Sequence, residues 1–253
     1  MTNRPITGLE PPWQTTPEPI TLHPDEVHVW RADLEVSPAA LLHMGKTLSA
    51  DEQERAERFH SPVDRARYLA GRGILRALLA RYLGTRAGDL RFCCNAHGKP
   101  ALVPGSGTED LRFNLSHSHR LALFAFAFRH EVGVDLEYVR PSLPDDRLAE
   151  RFFSPQEVTR LRALPERAQT EAFFHCWTRK EAYIKARGEG LGIGLASFTV
   201  SLALGQLTDL LITNDDGLEA GRWSLRALAP GDGYVAAIAA EGKDSSLALW
   251  QWG

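Results

Sequence analysis

Two acidic side chains in the middle of the chain have the spacing of a divalent-cation site. Asp135 and Glu137 occur in the sequence GVDLE, which alternates apolar and polar residues as a half-buried strand does. Alternate residues of a strand share a face, so both carboxylates point the same way. Such oxygen ligands suit Mg²⁺, which usually keeps waters and substrate phosphate oxygens as well. A solvated acidic strand face would give the same pattern, so the pair alone does not establish a metal site.

A second group of charged residues lies in the sequence WTRKEAYIK. On a helix, Glu181 and Lys185 are one turn apart and flank an apolar stripe that includes Phe173 and Trp177. In one interpretation the carboxylate joins a metal site and the ammonium binds a phosphate. In the other, the two form a surface ion pair that contributes about 0.2–0.5 kcal/mol to the helix.

Three further segments offer hydrogen-bond donors or positive charge. The sequence FNLSHS places Asn114, Ser116 and His117 near a strand end, where they suit either phosphate oxygens or a polar turn. The turn at residues 98–100, of sequence GKP, permits close approach of a ligand to the backbone. Three arginines of the first half are either phosphate ligands or ordinary helix-surface charges, namely Arg55, Arg67 and Arg72.

The elements that must position these side chains alternate between strand and helix patterns. Helices are predicted where a capping residue precedes an apolar period of 3.6, at residues 49–58, 61–84, 154 onward and 170–187. Strands are predicted at residues 27–30, 90–94, 121–128, 132–138, 198–202, 221–228 and 234–239. Residues 129–131 form a polar turn between two strands, and this predicted hairpin favours an α+β fold over a parallel α/β fold.

One short sequence occurs twice. Residues 56–62 and 149–155 agree at six of seven positions, as AERFHSP and AERFFSP. A duplicated chain would explain the echo and would place a cleft between two similar halves. Two unrelated helix starts would explain it equally well, because Ser-Pro favours a helix N-terminus in both places.

Composition limits the class of protein. The 253-residue chain has a net charge of −3, so no broad basic face for nucleic acid is expected. Its three cysteines lack the spacing of a zinc site or a disulfide framework, which favours a reducing compartment. No apolar run approaches the roughly 18 residues of a membrane span, and the Pro-rich start is unlike a signal peptide. We therefore expect a cytoplasmic protein without a membrane or nucleic-acid partner.

Together and in this order, the segments resemble the larger, surfactin-synthetase-activating type of 4′-phosphopantetheinyl transferase. The resemblance extends over residues 27–240 and depends most on Asp-x-Glu followed by Trp-x-x-Lys-Glu-Ala. The matching segments are residues 98–100, 113–118, 133–137, 151–154 with Glu157, and 177–185 with Gly188, Gly190 and Leu191. It implies an α+β fold of two similar halves related by a pseudo-twofold, with the active site at their interface. We place a loosely ordered start at residues 1–20, the first half at 21–130 and the second at 131–253.

The resemblance also implies an activity. A member of this family transfers the 4′-phosphopantetheine group from coenzyme A to a serine of an apo acyl, polyketide or peptidyl carrier protein and releases 3′,5′-ADP. Such enzymes serve fatty acid, polyketide and nonribosomal peptide biosynthesis, and this type is expected to be a monomer. The alternatives are a metal-dependent phosphohydrolase of a related substrate and a non-catalytic module that binds coenzyme A.

The residue roles follow from the same resemblance. Mg²⁺, or Mn²⁺ in its place, would bind Asp135, Glu137 and Glu181, and the catalytic group would be Asp135, Glu181 and Lys185. Either Glu181 or a metal-bound water would take the serine proton. The expected ligands of coenzyme A are Lys180 and Lys185 at the pyrophosphate, Lys99 and Pro100 at adenine, and Ser116, His117, Lys99 and Arg67 or Arg72 at the 3′-phosphate. Glu52 departs from the pattern, because it stands where a phosphate-binding lysine is expected. Residues 138–148 are a candidate carrier-docking loop.

Overall fold

The computed structural model describes residues 12–16, 18–105, 110–140, 146–202, 207–208, 210–211, 221–242 and 245–253. The helices are α1 (Pro38–Gly45), α2 (Ala50–Glu57), α3 (Pro62–Leu83), α4 (Asp146–Phe152), α5 (Pro155–Arg162) and α6 (Glu166–Arg187). The strands are β1 (Gln14–Thr15), β2 (Glu26–Asp33), β3 (Phe92–Cys94), β4 (Pro100–Leu102), β5 (Leu111–Ser118), β6 (Leu121–Phe128), β7 (Val132–Tyr138), β8 (Thr199–Val200), β9 (Leu207–Thr208), β10 (Leu210–Leu211), β11 (Trp223–Leu228), β12 (Tyr234–Glu241) and β13 (Ser246–Gln251). No helix in these ranges is both long and apolar enough to cross a membrane.

Two larger sheets pack face to face, and each carries a long helix on its outer face. The first has the strand order β1-β13-β2-β6-β5 and the second the order β7-β12-β11-β9. One apolar cluster joins α3 to the first sheet, another joins α6 to the second, and a third lies between the sheets. The α+β fold class expected from the sequence is therefore confirmed.

The strand β6 shows why this stacking follows from the sequence. Its residues are almost all apolar, so both of its faces must be covered. Phe124 and Phe126 pack against the α3 side, while Leu123 and Ala125 pack against the second sheet. A strand buried on both faces fixes the layer order of helix, sheet, sheet and helix.

Both long helices end where the sequence predicts, and α3 also begins there, whereas α6 begins at Glu166, four residues before its predicted start. The Ser61 hydroxyl accepts a hydrogen bond from the Asp64 amide at 3.2 Å, and Pro62 occupies the first turn of α3. The helix ends at Gly84, whose left-handed conformation closes its last turn. Gly188 ends α6 in the same conformation.

The halves repeat the same order of elements. Each runs through one strand, two short helices and a long helix of 22 residues, and it ends, after shorter strands, on an antiparallel pair of longer strands. The sheet orders β2-β6-β5 and β7-β12-β11 correspond. In each half the second short helix starts with a capping box, Ser49 with Glu52 and Ser154 with Glu157. The repeated order of elements therefore supports a duplication. The sequence echo pairs Ser154 with Ser61 instead, which caps a different helix, so the echo joins two non-equivalent helix starts.

The predicted hairpin at residues 128–132 is wrong, although both of its strands form. The strands β6 and β7 enter different sheets, where β6 pairs with β2 and β5 while β7 pairs with β12. The three-residue connection after β6 carries the chain from the first sheet to the second. It brings the edge strands of the two halves together. Two apolar runs around a polar turn give the same sequence pattern in a hairpin and in two strands of different sheets. Periodicity therefore could not distinguish the two arrangements.

Both chain termini join the first sheet. The strand β13, which was not predicted, runs parallel to β2, and β1 runs parallel to β13. The indole of Trp13 donates to the carbonyl of Ala229 at 3.0 Å and contacts the guanidinium of Arg31. Residues 1–11 of the Pro-rich start and residues 141–145 of the candidate docking loop lie outside the described residues.

Candidate active site

Asp135 lies at the centre of a buried polar cluster where the halves meet. It projects from β7 toward α6, and only 4% of the residue is exposed. Its Oδ1 accepts from Lys185 Nζ at 2.6 Å and from the Ser116 hydroxyl at 2.9 Å. Its Oδ2 is buried and has no hydrogen-bond partner in the described part of the chain. A buried carboxylate oxygen without a partner is costly, so this atom is suited to bind a group from outside the chain.

Close packing of α6 on β7 brings the helix residues to this carboxylate. Gly133 permits the contact, because a Cβ there would lie 2.8 Å from the Ala186 Cα and closer still to the Ala182 carbonyl oxygen. From the helix, Lys185 reaches Asp135 and also donates to the Ser116 hydroxyl at 3.1 Å. Glu181 lies one turn before Lys185 and is half-buried.

Negative charge is concentrated around this point. Burial, followed by the charge of Asp135, raises the pKa of Glu137 and of Glu181 above the usual range. Lys185 acts in the opposite direction on both groups. Three mutually repelling carboxylates beside one ammonium leave an excess of negative charge, which a bound cation would neutralise.

The donor set fits Mg²⁺ in chemistry. Across the described residues, no three or more His, Cys, Asp or Glu side chains are arranged so that they could hold a metal ion between them. Mg²⁺ does not need such a cage, because it is typically held by one or two carboxylates, waters and substrate phosphates. The partnerless Oδ2 of Asp135 and the neighbouring acids supply ligands of that kind.

Arg67 adds positive charge beside Lys185, and the ring of His117 lies near both residues. Protein atoms partly enclose the His117 ring, and this desolvation together with the charges of Lys185 and Arg67 lowers its pKa. Arg67 donates to Glu35 Oε1 at 3.1 Å, while its Nε is buried and finds no acceptor among the described residues. The sequence prediction grouped His117 and Arg67, and the structure places both near Lys185.

Arg72 lies elsewhere. Its guanidinium donates to Glu52 Oε1 and stacks 4.5 Å from the centre of the Phe92 ring. The other oxygen of Glu52 accepts from Arg76 Nε at 2.7 Å. The departure noted at Glu52 therefore has a structural consequence, because this carboxylate holds both arginines in an ion-pair network.

Lys99 is used in holding elements together. Its ammonium donates to Glu131 Oε2 at 2.7 Å, to the Ala186 carbonyl at 2.9 Å and to the Val132 carbonyl at 3.2 Å. An ammonium has three donors, so all of them have protein acceptors here. The turn that ends in Pro100 consequently lies at the C-terminal end of α6, with Lys99 committed to that junction.

Lys180 does not reach the cluster. It is fully buried on another face of α6, where Nζ donates to Glu157 Oε2 at 2.8 Å, the Leu195 carbonyl at 2.8 Å and the Phe198 carbonyl at 2.6 Å. Neither member of the Lys180–Glu157 pair has an exposed side-chain surface. A role for Lys180 at the pyrophosphate is corrected by this burial, and helical spacing alone could not reveal it.

The site contains one residue that sequence reasoning missed, Ser118, and it uses Asn114 for a contact other than the expected one. Ser118 donates to Glu137 Oε2 at 3.2 Å, and Asn114 accepts from the Val134 amide at 2.9 Å. The predicted phosphate ligand Ser116 has its hydroxyl occupied by Asp135, Lys185 and the Leu136 amide. The period of two in Asn114, Ser116 and Ser118 was the available signal, because it places all three on one face of a strand.

An acidic cluster with a lysine, set between two α+β halves, is the kind of site that acts on a phosphorylated substrate. Two family models match the chain in succession. Residues 32–128 match the N-terminal model of the 4′-phosphopantetheinyl transferases, and residues 131–239 match the model of the 4′-phosphopantetheinyl transferase superfamily.

Individual relatives carry the same description. The 4′-phosphopantetheinyl transferase HetI of Nostoc sp. is 41% identical over 244 residues, covering 96% of this chain and all of HetI. The 4′-phosphopantetheinyl transferase Sfp of Bacillus subtilis is 35% identical over 155 residues, covering 61% of this chain and 66% of Sfp. The chain belongs to the 4′-phosphopantetheinyl transferase family, and it transfers phosphopantetheine to carrier proteins.

Among solved structures, two synthases of acyl carrier proteins were matched. The Thermotoga maritima holo-[acyl-carrier-protein] synthase has a TM-score of 0.35 at 22% identity and covers 45% of this chain and 63% of its own. The complex named Chronobacterium ammoniagenes ACPS-CoA has a TM-score of 0.35 at 20% identity and covers 45% of this chain and 98% of its own.

Proposed function

We propose that this transferase takes its phosphopantetheine from coenzyme A in a Mg²⁺-dependent reaction at the Asp135 cluster, and that the acceptor is a serine of an apo carrier protein. The observation that carries the proposal is the buried Asp135 carboxylate, which has a partnerless Oδ2 and lies among Glu137, Glu181 and Lys185.

Each charged residue of the cluster has a distinct part in this proposal. Asp135, Glu137 and Glu181 would hold the cation, with Mn²⁺ as a substitute of the same ligand preference. The bound metal would supply Lewis-acid stabilisation of the phosphate oxygens and a template for the substrate. Lys185 is a fixed positive charge beside the same point, where negative charge develops on the pyrophosphate as 3′,5′-ADP leaves.

The attacking serine must also lose its proton. We assign the acceptor role to Glu181, because its carboxylate is half-buried on α6 and lies next to Lys185 and Asp135 in the cluster. Positioning of the serine against the phosphorus accounts for the remaining contribution of the protein, since no covalent enzyme intermediate is needed.

Arg67 and His117 are the proposed ligands of the 3′-phosphate. Arg67 has a buried Nε without a partner among the described side chains, and His117 lies near both Arg67 and Lys185. Arg72 is less suited, because Glu52 and the Phe92 ring already contact its guanidinium. Lys99 and Pro100 would contribute through the shape of their turn, because the ammonium of Lys99 is committed to three protein oxygens.

The proposal extends to the setting of the enzyme. Its partners would be acyl, polyketide or peptidyl carrier proteins in the cytoplasm, and it would act as a monomer of two halves at residues 21–130 and 131–253. Neither nucleic acid nor a membrane is needed for this reaction.

A mass measurement tests the proposed function. The protein is mixed with coenzyme A, Mg²⁺ and apo carrier proteins from the three pathways, and the carriers are weighed. We expect one phosphopantetheine on a carrier serine, loss of the reaction with a chelator and recovery with added Mg²⁺. Transfer that persists in the chelator would contradict the metal role, and release of phosphate without carrier would favour a phosphohydrolase.

A variant pair tests the site itself. Asp135→Asn should lower transfer by more than about 100-fold, because loss of groups that only orient metal ligands already costs 10–100-fold. The matched control is Asp110→Asn, which removes an exposed aspartate that pairs with Arg129. Normal turnover of Asp135→Asn in Mg²⁺ would show that the reaction takes place elsewhere.

A further inference from the structure

The strand β7 has an edge that meets side chains instead of another strand. It is the first strand of the second sheet, and β12 pairs with one of its edges. In such a pair only alternate residues exchange backbone hydrogen bonds with the partner, so the intervening amides point away. A sheet edge of this kind leaves a row of donors that need acceptors when it is buried.

Three side chains of β5 supply those acceptors at regular spacing. Asn114 Oδ1 accepts from the Val134 amide at 2.9 Å, Ser116 Oγ from Leu136 at 3.3 Å and Ser118 Oγ from Tyr138 at 3.1 Å. Each step advances two residues on both strands, so the side chains form a ladder where a backbone ladder would otherwise run. We call Asn114, Ser116 and Ser118 the side-chain ladder.

The two serines of the ladder also bind the carboxylates. Ser116 donates its proton to Asp135 Oδ1 at 2.9 Å, and Ser118 donates to Glu137 Oε2 at 3.2 Å. A hydroxyl has one proton to donate and two lone pairs to accept with. Each serine oxygen accepts a hydrogen bond from a backbone amide of β7. The proton of each serine is therefore directed toward the carboxylate.

We propose that Ser118 is a positioning residue for Glu137, and that the two serines of the side-chain ladder fix the acidic face of β7 from the other half of the molecule. Ser116 does the same for Asp135 but also accepts from Lys185, so Ser118 carries the cleaner test. The inference rests on the proposed metal role of Glu137 and adds the group that orients it.

The geometry explains why such a residue is needed. Glu137 stands near the end of β7 and is only half-buried, so packing alone does not fix its rotamer. The charge of Asp135 repels it, while the hydroxyl of Ser118 attracts it toward one orientation. Partners that hold a metal ligand in place typically contribute 10–100-fold to metal affinity.

The experiment measures Mn²⁺ binding by electron paramagnetic resonance in the presence of coenzyme A and without a carrier protein, so no turnover occurs. The variants are Ser118→Ala, Ser118→Thr, which retains the hydroxyl, and Asn114→Ala, which removes the ladder residue whose side chain accepts from the Val134 amide. Ser224→Ala is the control, because it removes a strand hydroxyl that donates to the Ala240 carbonyl in the second sheet. Thermal unfolding is recorded for all four.

We expect Ser118→Ala to weaken Mn²⁺ binding by about tenfold or more. Ser118→Thr should restore it to within about threefold, since the hydroxyl that orients the ligand is present again. Asn114→Ala should lower the unfolding midpoint while its Mn²⁺ affinity, measured on the folded protein, stays near that of the parent.

Two results would overturn the inference and can be told apart. If the parent binds Mn²⁺ and Ser118→Ala binds it equally well, the ladder only joins the strands and Ser118 does not position Glu137. If the parent itself binds no Mn²⁺ with coenzyme A present, the proposed metal role fails, and the inference fails with it.

Discussion

Gly133 of β7 lies directly beneath the Ala182 carbonyl of α6, so close that no side chain would fit at position 133. This contact sets how close the helix comes to the strand, and so how close Lys185 comes to Asp135. The backbone of Gly133 has an ordinary strand conformation, because it pairs in register with Ala239. The glycine is required for close approach and not for an unusual dihedral angle.

Gly133→Ala should therefore lower both stability and activity. The added methyl must displace α6 from β7, and overpacking of this kind typically costs about 1–3 kcal/mol. Urea unfolding gives the first quantity, and mass gain of a carrier protein gives the second. Gly88→Ala is the matched control, because a Cβ there meets no atom within 4 Å. A fully active and stable Gly133→Ala would mean that the contact does not set the site geometry.

Lys185→Met should impair the reaction and also lower the stability of the fold. Its side chain is 29% exposed and its ammonium bonds Asp135, so the loss of Lys185 removes positive charge from the site and leaves one carboxylate less compensated. We expect a higher KM for coenzyme A and a lower kcat, because the charge acts in binding and on the developing negative charge. Steady-state kinetics separate the two effects. Unchanged kinetics would remove Lys185 from the site.

Much of this site could be predicted from local pattern. A period of two places Asp135 and Glu137 together, and a period of 3.6 places Glu181 one turn from Lys185. Neither pattern shows that the strand and the helix lie against each other. That step came from the resemblance of the ordered motifs to a family, and the fold confirms that α6 packs on β7.

The residues that lie elsewhere in the structure than the sequence predicted have long or bifunctional side chains. Lys99 and Lys180 each find three oxygen acceptors that come from distant parts of the chain, so their direction depends on tertiary structure. Ser116 carries the right chemistry for a phosphate but faces the edge of β7. The hairpin prediction was wrong for the same reason. The strands with which β6 and β7 pair determine that the two enter different sheets.

The duplicated first half shows what the same architecture becomes without the acids. Where β7 directs Asp135 and Glu137 toward its long helix, β2 directs His28 and Trp30 toward α3. Both rings hydrogen-bond the hydroxyl of Tyr82, each at 2.8 Å. Burial raises the pKa of that hydroxyl, so Tyr82 stays neutral and serves packing. The three acids of the site therefore lie in the second half, while both halves share the same order of elements.

Lys180→Met should destabilise the protein without altering substrate binding. The change leaves Glu157 fully buried and unpaired, and breaking one side of a buried pair costs about 3–5 kcal/mol. The double variant Lys180→Met, Glu157→Gln should recover part of the loss, because the remaining buried charge is removed. Denaturant unfolding measures both. A raised KM for coenzyme A in folded Lys180→Met would instead return this lysine to the substrate site.

A histidine far from the cluster gives the fold a pH dependence. His175 lies on α6 with a largely buried side chain, where burial and the charge of Arg179 lower its pKa to about 4. Glu171 Oε1 lies 3.7 Å from Nε2 of this ring. The folded state therefore keeps the ring neutral at pH values where the unfolded chain, with a pKa near 6.5, already binds a proton.

The sign of the effect follows from linkage. Stability rises with pH wherever the unfolded state binds more protons, so His175 should reduce stability progressively as the pH falls from about 6.5 to about 4. Between pH 7.5 and 5 the loss should be about 2 kcal/mol. His175→Gln should show a correspondingly smaller loss in urea unfolding over this interval, whereas His43→Gln, which changes an exposed residue, should follow the parent. Equal pH dependence in all three proteins would mean that His175 takes up its proton in the folded state as readily as in the unfolded chain.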